Sequence, residues 1–360
     1  MTGLPDKIFE NTKSLSDIML SYNFFKTLPE NLFSNCKNLN IFTMLVNNGG
    51  CWLQNCNPDT ITKLSIPTTM FQNSSIKEIK MLHVPIKEIP ETLFKGVNSL
   101  INITIQNSFI TILPEELFRD TKNLKLVDFS GNHMKINSLP ESLFRGLHKL
   151  EIIRFIQSNL TRILPNQFKN LRKLKIVHLQ ENQLSDIPYN TFSQKRLLEN
   201  LDLSSNNLSP EPNLRFTKGQ VFEKLQELDL SNNSWTAITD EFQVNFLKMR
   251  VLNLSHNLIG EDGGGMLAAN HALQFLQKEI IVDLSYNKKH WFDLRKPQYS
   301  DHTLSNKLKI NLTGNPFICD CMATELKQKI ENKLTTVFRD KFELVKSDLE
   351  KTVSKHLGNY

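Results

Sequence analysis

The pattern L-x-x-L-x-L-x-x-N recurs along this chain, mostly every 24 residues, and that period dictates a stacked architecture. It opens at Leu15, Leu39, Ile76, Leu100, Leu124, Leu150, Leu174, Leu198, Leu225, Met249, Glu279 and Lys307. Longer gaps follow Leu39, Met249 and Glu279, and a remnant surrounds Leu4 and Phe9. A unit this short cannot bury an apolar face alone, so successive units must pack on each other. Stacking lets 360 residues form one body without the several separate cores such a length ordinarily requires.

Each position of the unit has a physical task. Alternation, as in Leu201–Asp202–Leu203, sends two leucines inward and the middle residue outward. Such short strands pair in parallel, and the rest of each unit supplies the crossover. The ninth position is Asn at Asn23, Asn47, Asn132, Asn182, Asn206, Asn233, Asn257, Asn287 and Asn315. An amide there can donate to and accept from the main chain at the bend, and a buried amide has to be paired. The expectation is an asparagine ladder inside the solenoid. Val84, Ser108 and Ser158 interrupt it, so those units should be looser or bonded differently.

The second half of the unit reads L-P-x-x-L-F, as in Leu113–Phe118 and Leu139–Phe144. Phe9, Phe33, Phe71, Phe94, Phe118, Phe144, Phe168, Phe192, Phe222 and Phe242 are expected to stack into an aromatic spine. Wide phenylalanines on one side and narrow strands on the other bend the array. The reading is therefore an α/β solenoid, a leucine-rich repeat horseshoe with short parallel strands on its concave face and an irregular or 3₁₀ convex side. Residues 1–314 form the array, and 315–360 an incomplete cysteine-containing cap with an amphipathic tail. Leu326, Ile330, Leu334 and Val337 sit at helical spacing and are read as a capping helix.

Cys51 and Cys56, in a Gly/Asn/Pro-rich insertion, could close a small disulfide or stay as two thiols. Cys36 is expected to be an unpaired, half-buried thiol. The N-terminal end starts in mid-repeat and should expose an apolar edge. Met1 to Glu10 read as repeat rather than as a secretory leader. No apolar run of about 18 residues is present, so no membrane span is expected. The net charge of +6 sits in no dense basic block, so nucleic acid is not implied. The chain lacks H-E-x-x-H, G-x-S-x-G and G-x-x-x-x-G-K-[ST], and Gly260–Gly265 is followed by no Lys-Ser/Thr. A binding scaffold is expected, without catalytic residues, metal or cofactor.

The L-P-x-x-L-F segments, the strand text L-x-L-S-x-N and the closing Asn315-Pro316-Phe317-Ile318-Cys319-Asp320-Cys321 resemble the ectodomain of arthropod Toll receptors. Residues 273–276, running through 282–288, look like the last repeats of such a protein, and 311–316 like the approach to its cysteine-rich cap. The resemblance covers nearly the whole chain. It implies a ligand-binding ectodomain fragment, truncated at both ends, that acts outside the plasma membrane. The implied partner is a secreted cystine-knot cytokine of the Spätzle type. Receptor homodimerisation and innate-immune or developmental signalling would follow. Family caps use four cysteines in two disulfides, whereas this chain offers only Cys319 and Cys321 at its cap. Two other readings stand beside this one: a soluble extracellular binding or matrix protein without signalling, and an intracellular repeat scaffold.

On the strand face, the third, fifth and seventh positions point outward. Ile41, Leu45, Leu82, Ile152, Arg154, Ile156, Ile176 and His178 are the candidate ligand contacts, because outward apolar groups serve no core and contiguous ones mark binding sites. Scattered surface apolars would need no such explanation. Asp202, Asp229 and Asp283 read as a solvated face. N-x-S/T sequons stand at Asn73, Asn102, Asn159, Asn207, Asn232, Asn253 and Asn311 and favour the secretory route. Asn102, Asn253 and Asn311 fall at outward strand positions. A ligand is therefore expected between the third and eighth repeats, away from Asn102, or on a lateral edge.

Overall fold

The computed structural model describes residues 1–47, 62–72, 74–86, 88–132, 134–135, 137–188, 190–209, 221–236, 245–246, 248–260, 280–288 and 308–316. Cys51, Cys56, Asn73, Phe242, Cys319, Cys321 and the expected capping helix lie outside them.

Among the described residues fourteen strands follow in chain order: β1 (Asp17–Met19), β2 (Ile41–Leu45), β3 (Glu78–Leu82), β4 (Asn102–Gln106), β5 (Leu126–Asp128), β6 (Ile152–Arg154), β7 (Ile176–His178), β8 (Asn200–Asp202), β9 (Val221–Phe222), β10 (Glu227–Asp229), β11 (Asn245–Phe246), β12 (Val251–Asn253), β13 (Ile280–Asp283) and β14 (Leu308–Asn311). Twelve make one parallel sheet in chain order, while β9 and β11 pair separately. The register matches equivalent positions of successive coils, as in Ile152↔Ile176 and His178↔Asp202. It survives the long coils: Ile41 pairs with Glu78, and Val251 with Ile281. Insertions leave the ladder undisturbed because they enter the crossover and not the strand. Inward residues such as Phe42, Ile79, Ile103, Val127 and Leu201 are fully buried.

The asparagine ladder is present and its wiring is visible. Asn182 Nδ2 donates to Leu179 O (2.9 Å) and Gln180 O (3.1 Å) in its own coil and to Phe155 O (2.7 Å) in the preceding one. Its Oδ1 accepts from Leu160 N and Ser158 N, each at 3.0 Å. Each rung therefore bolts two coils together. Asn132, Asn206, Asn233, Asn257 and Asn287 repeat the main features. Asn315 Nδ2 donates to Leu284 O and Leu312 O at 2.9 Å. Asn47 exchanges both bonds with Phe25, and the half-buried Asn23 bonds only within its own coil. The interrupted rungs are bonded differently. Ser108 Oγ reaches only Gln106 O (2.9 Å), so the Ile86 amide of the preceding coil turns to the Ser108 carbonyl instead (3.0 Å). Ser158 Oγ bonds Ile156 O (3.0 Å) and reaches Phe129 O of the coil before at 3.3 Å.

The aromatic spine runs in two segments. Phe9, Phe33, Phe71, Phe94 and Phe118 follow one another with ring centroids 5.7–6.1 Å apart. Phe144, Phe168 and Phe192 continue at 6.0 Å. Between Phe118 and Phe144 the contact passes through two strand phenylalanines. Phe118 touches Phe129, Phe129 stacks on Phe155 at 5.9 Å, and Phe155 meets Phe144 edge-on. The coil from Leu124 to Leu150 is two residues longer than the usual 24, which accompanies this detour. Cys36 is fully buried and not half-buried as expected, because it occupies the core position four residues into the turn that Val97, Leu147 and Leu171 fill elsewhere.

The eighth position adopts the left-handed backbone in every coil. Tyr22, Val46, His83, Asn107, Gln157, Glu181, Ser205, Asn232, His256 and Tyr286 have φ of 49–57°, and Gly131 and Gly314 φ of 69° and 74°. This residue turns the chain from strand to Asn rung. L-residues enter the region at a cost of about 1–2 kcal/mol, and β-branched Val46 is the least suited of them. The two glycines serve their neighbours as well. A Cβ on Gly131 would stand 1.9 Å from Asn107 Oδ1, and one on Gly314 would strike the Tyr286 ring.

Candidate functional site

The concave sheet face carries three columns of outward side chains, one per odd strand position. Neighbouring strands lie about 4.8 Å apart, so residues in one column touch. The fifth-position column is the most tightly linked, and seventh-position Gln106 and third-position Asn200 and Glu227 join its network. Gln106 Nε2 donates to Asp128 Oδ2 (2.9 Å), Arg154 Nη1 lies 3.8 Å from the same oxygen, and half-buried His178 Nε2 meets Asn200 Oδ1 at 3.1 Å. Farther along, Asn200 donates to Glu227, Asn253 to Asp229 Oδ2 (2.9 Å) and Asn311 to Asp283 Oδ2 (3.3 Å).

The acidic residues of this column shape the backbone. Asp128, Asp202, Asp229 and Asp283 each accept, through Oδ1, the amide of the serine two residues on, at 2.9–3.0 Å. Asn253 does the same for Ser255 and Asn311 for Thr313. An Asx turn of this kind bends the chain out of the strand. The reading of Asp202, Asp229 and Asp283 as a solvated face is corrected: Asp283 is buried, as is Asp128, and Asp202 and Asp229 are half-buried. Crowding has an electrostatic consequence. Burial and the Asp229 charge raise Glu227 to about 7, and the same two causes raise Asp202 to about 6. Burial raises Asp229 as well. Burial and the Arg154 guanidinium depress His178 to about 4.

The structure sorts the candidate contacts into two groups. Ile41 and Leu45 lie on β2 and Leu82 on β3, where Leu45 and Leu82 are register partners. Ile152, Arg154, Ile176 and His178 lie on β6 and β7 as direct partners, with Ile156 just beyond β6. Glu78 and Asn102 stand between the groups in the third-position column. Arg154 and His178 are engaged inside the sheet face, and Ile152 is only 7% exposed, packed between Leu126 and Ile176. Their expected role as open contacts is corrected accordingly. In the first group Ile41 is 37% exposed while Leu45 and Leu82 are half-buried, and β1 adds Met19 (66%) with Tyr22 (74%) beyond it. Sequence reasoning missed Met19 and Tyr22. Their fifth and eighth positions in the first coil were the signal that could have found them.

The sequons separate in the same way. Asn159, Asn207 and Asn232 are exposed where the chain leaves the sheet. Asn102 and Asn311 are half-buried on the face, and Asn253 is 9% exposed with its amide nitrogen held by Asp229.

Comparison with known proteins agrees with this architecture. A family model described as BspA type leucine rich repeat region matches residues 1–62 and 50–151, and one described as leucine rich repeat matches 157–208 and 223–277. The fold is a leucine-rich repeat solenoid. Toll in the glycosylated Drosophila Toll–Spatzle complex superposes with a TM-score of 0.66 at 21% identity, over 89% of this chain and 45% of that one. A chain of the octameric Latrophilin 3, Unc5D and FLRT2 complex gives 0.66 at 17% identity over 87% of both. A leucine-rich repeat protein of Leptospira interrogans gives 0.62 at 21%, over 93% of this chain and 80% of that one. At these identities the likeness is one of fold, and this chain spans less than half the length of the matched chain of the Toll–Spatzle complex. No match is found among curated proteins. Among the described residues no helix is long and apolar enough to cross a membrane.

Proposed function

We propose that the solenoid binds a protein ligand on the first three strands of its concave face, through Met19, Tyr22, Ile41, Leu45 and Leu82. The observation that carries this reading is the exposure of Ile41. Its strand β2 is flanked on both sides by β1 and β3, so a free sheet edge does not account for it. Exposed apolar side chains gathered in one region mark protein-binding sites, and aromatic and methionine side chains are enriched at interface centres; the patch is mixed, since the register partners of Ile41 are Asp17 and Glu78. The reading is of a binding module, in keeping with the leucine-rich repeat fold.

The finer reading is a fragment of a Toll-type receptor ectodomain, acting outside the cell on a Spätzle-like cystine-knot cytokine, with homodimerisation as the signalling step. The repeat order, the cap motif and the sequons support it. The candidates on β6 and β7 belong to the same face, but a ligand reaches them mainly through Ile156 and Ile176. Surface-sensor kinetics on secreted chain, with cystine-knot cytokines as analytes, tests both levels. The double substitution Ile41→Lys and Leu82→Glu is expected to weaken binding at least a hundredfold. Unchanged affinity in that variant discards the patch, and binding of a non-cytokine secreted protein instead leaves the patch but removes the Toll reading.

A further inference from the structure

Lysines and arginines that look dispersed in the sequence collect on one flank of the solenoid. The residues between each spine Phe and the following strand lead the chain into the sheet, and in five successive coils they are 95–101, 119–125, 145–151, 169–175 and 193–199. These segments hold twelve Lys and Arg against three acids, Asp120, Glu151 and Glu199. Because the units are in register, the basic residues form short rows across adjacent coils. Contacts between coils show it: Lys149 Nζ donates to Asn123 Oδ1 at 2.6 Å, and Asn123 Nδ2 to Asn98 O at 2.7 Å.

Two of the three acids in these segments, and two just outside them, are already engaged. Asp120 Oδ2 accepts the Gly96 amide at 2.9 Å, Glu151 lies 2.6 Å from Lys175 Nζ, and Glu116 and Glu223 pair with Arg145 and Arg196. Among the described residues, no carboxylate pairs with Arg119, Lys122, Lys125, Lys169, Arg172 or Lys173, and all six are exposed. The field is felt locally: burial and Arg172 lower the ammonium of buried Lys195 to about 8. On the opposite flank of the same coils, Lys135 and Arg162 are offset by Glu181 and Asp186.

We infer that this flank binds a linear sulfated polysaccharide, independently of the protein ligand proposed for the concave face. Rows of cations along a rigid solenoid match the repeating charge of an extended polyanion, and such binding releases counterions and weakens with salt. A polysaccharide is favoured over nucleic acid because these segments expose no large hydrophobic side chain, and His148 is their one exposed ring on which a base could stack. The exposed sequons Asn159, Asn207 and Asn232 lie on the opposite flank and leave this one clear.

The test is titration of the chain with heparin and with desulfated heparin at several salt concentrations. Sulfated polymer is expected to bind and desulfated polymer to bind at least tenfold more weakly. Lys122→Glu, Lys125→Glu, Arg172→Glu and Lys173→Glu together should weaken heparin binding at least tenfold and flatten its salt dependence. The variant Lys135→Glu with Arg162→Glu should retain the wild-type affinity. Equal loss in both variants, equal affinity for desulfated polymer, or single-stranded RNA or anionic vesicles that bind the same lysines more tightly than heparin would each overturn the inference.

Discussion

The two halves of the sheet solve the same stacking problem with different chemistry. From β7 onward the ninth-position Asn is unbroken from Asn182 to Asn315. From β8 onward the fifth and seventh positions follow an Asp/Asn-x-Ser/Thr text whose side chains make the bend, a device seen in the first half at Asp128. Before β7 the ninth position lapses at Val84, Ser108 and Ser158, and cohesion comes instead from stacked phenylalanines, including Phe129 and Phe155 inside the strands. The outward positions differ to match. In the second half they are consumed in holding the backbone, whereas in β1–β3 Met19, Ile41, Leu45 and Leu82 have no such task. A side chain already bonded within the fold has little left for a partner, so the free surface lies where the polar wiring is thinnest.

Rung substitutions give the sharpest break. Asn182→Ala strands the Leu160 and Ser158 amides and three carbonyls, and should cost about 3 kcal/mol. Ser158→Ala removes bonds to two carbonyls and should cost about 1 kcal/mol. Equal losses in urea denaturation would show that the halves are wired alike. The second prediction concerns the acidic half. Glu227 titrates near 7 in the folded chain against 4.5 when unfolded, so the folded state holds the extra proton between these values. Stability therefore falls as pH rises through 7. Asp202 and Asp229 add to the effect and Arg250 opposes it at Glu227. His178, depressed to about 4, acts the other way, but only between 4 and 6.5. Between pH 6.5 and 8 the carboxylates dominate, and Lys195, lowered to about 8, opposes them only toward the upper end. Tm is expected to drop across that range, and Glu227→Gln should flatten the drop and raise stability at pH 8 by about 1 kcal/mol. A Tm that climbs from pH 6.5 to 8 contradicts this. The smallest effect belongs to the first half. Val46→Asn should gain about 0.5–1 kcal/mol, because Asn tolerates the left-handed backbone and Val does not. A loss on chemical denaturation would mean that packing of the Val side chain outweighs its strain.

Much of this was legible in the residues alone. The twelve units, the parallel strands, the buried leucines and the asparagine rungs follow from a 24-residue period joined to strand alternation. The interruptions at Ser108 and Ser158 were legible too, though not the carbonyl that replaces one rung. The left-handed eighth position was hidden because seven residue types besides glycine occupy it, and Gly131 and Gly314 give the clearest sign. The candidate contacts were half legible. Alternation told that Ile152, Arg154 and His178 face outward from the core, but not that their neighbours enclose them.

Periodicity by itself determined which residues stack on which, since residues at equivalent positions of a repeat must meet when the repeat coils. How much of each stack remains open to solvent was decided only by the tertiary structure, because exposure depends on the size and charge of neighbours in adjacent coils. For the same reason the basic flank could not be seen along the chain: charges 24 residues apart become neighbours only once the coils lie side by side.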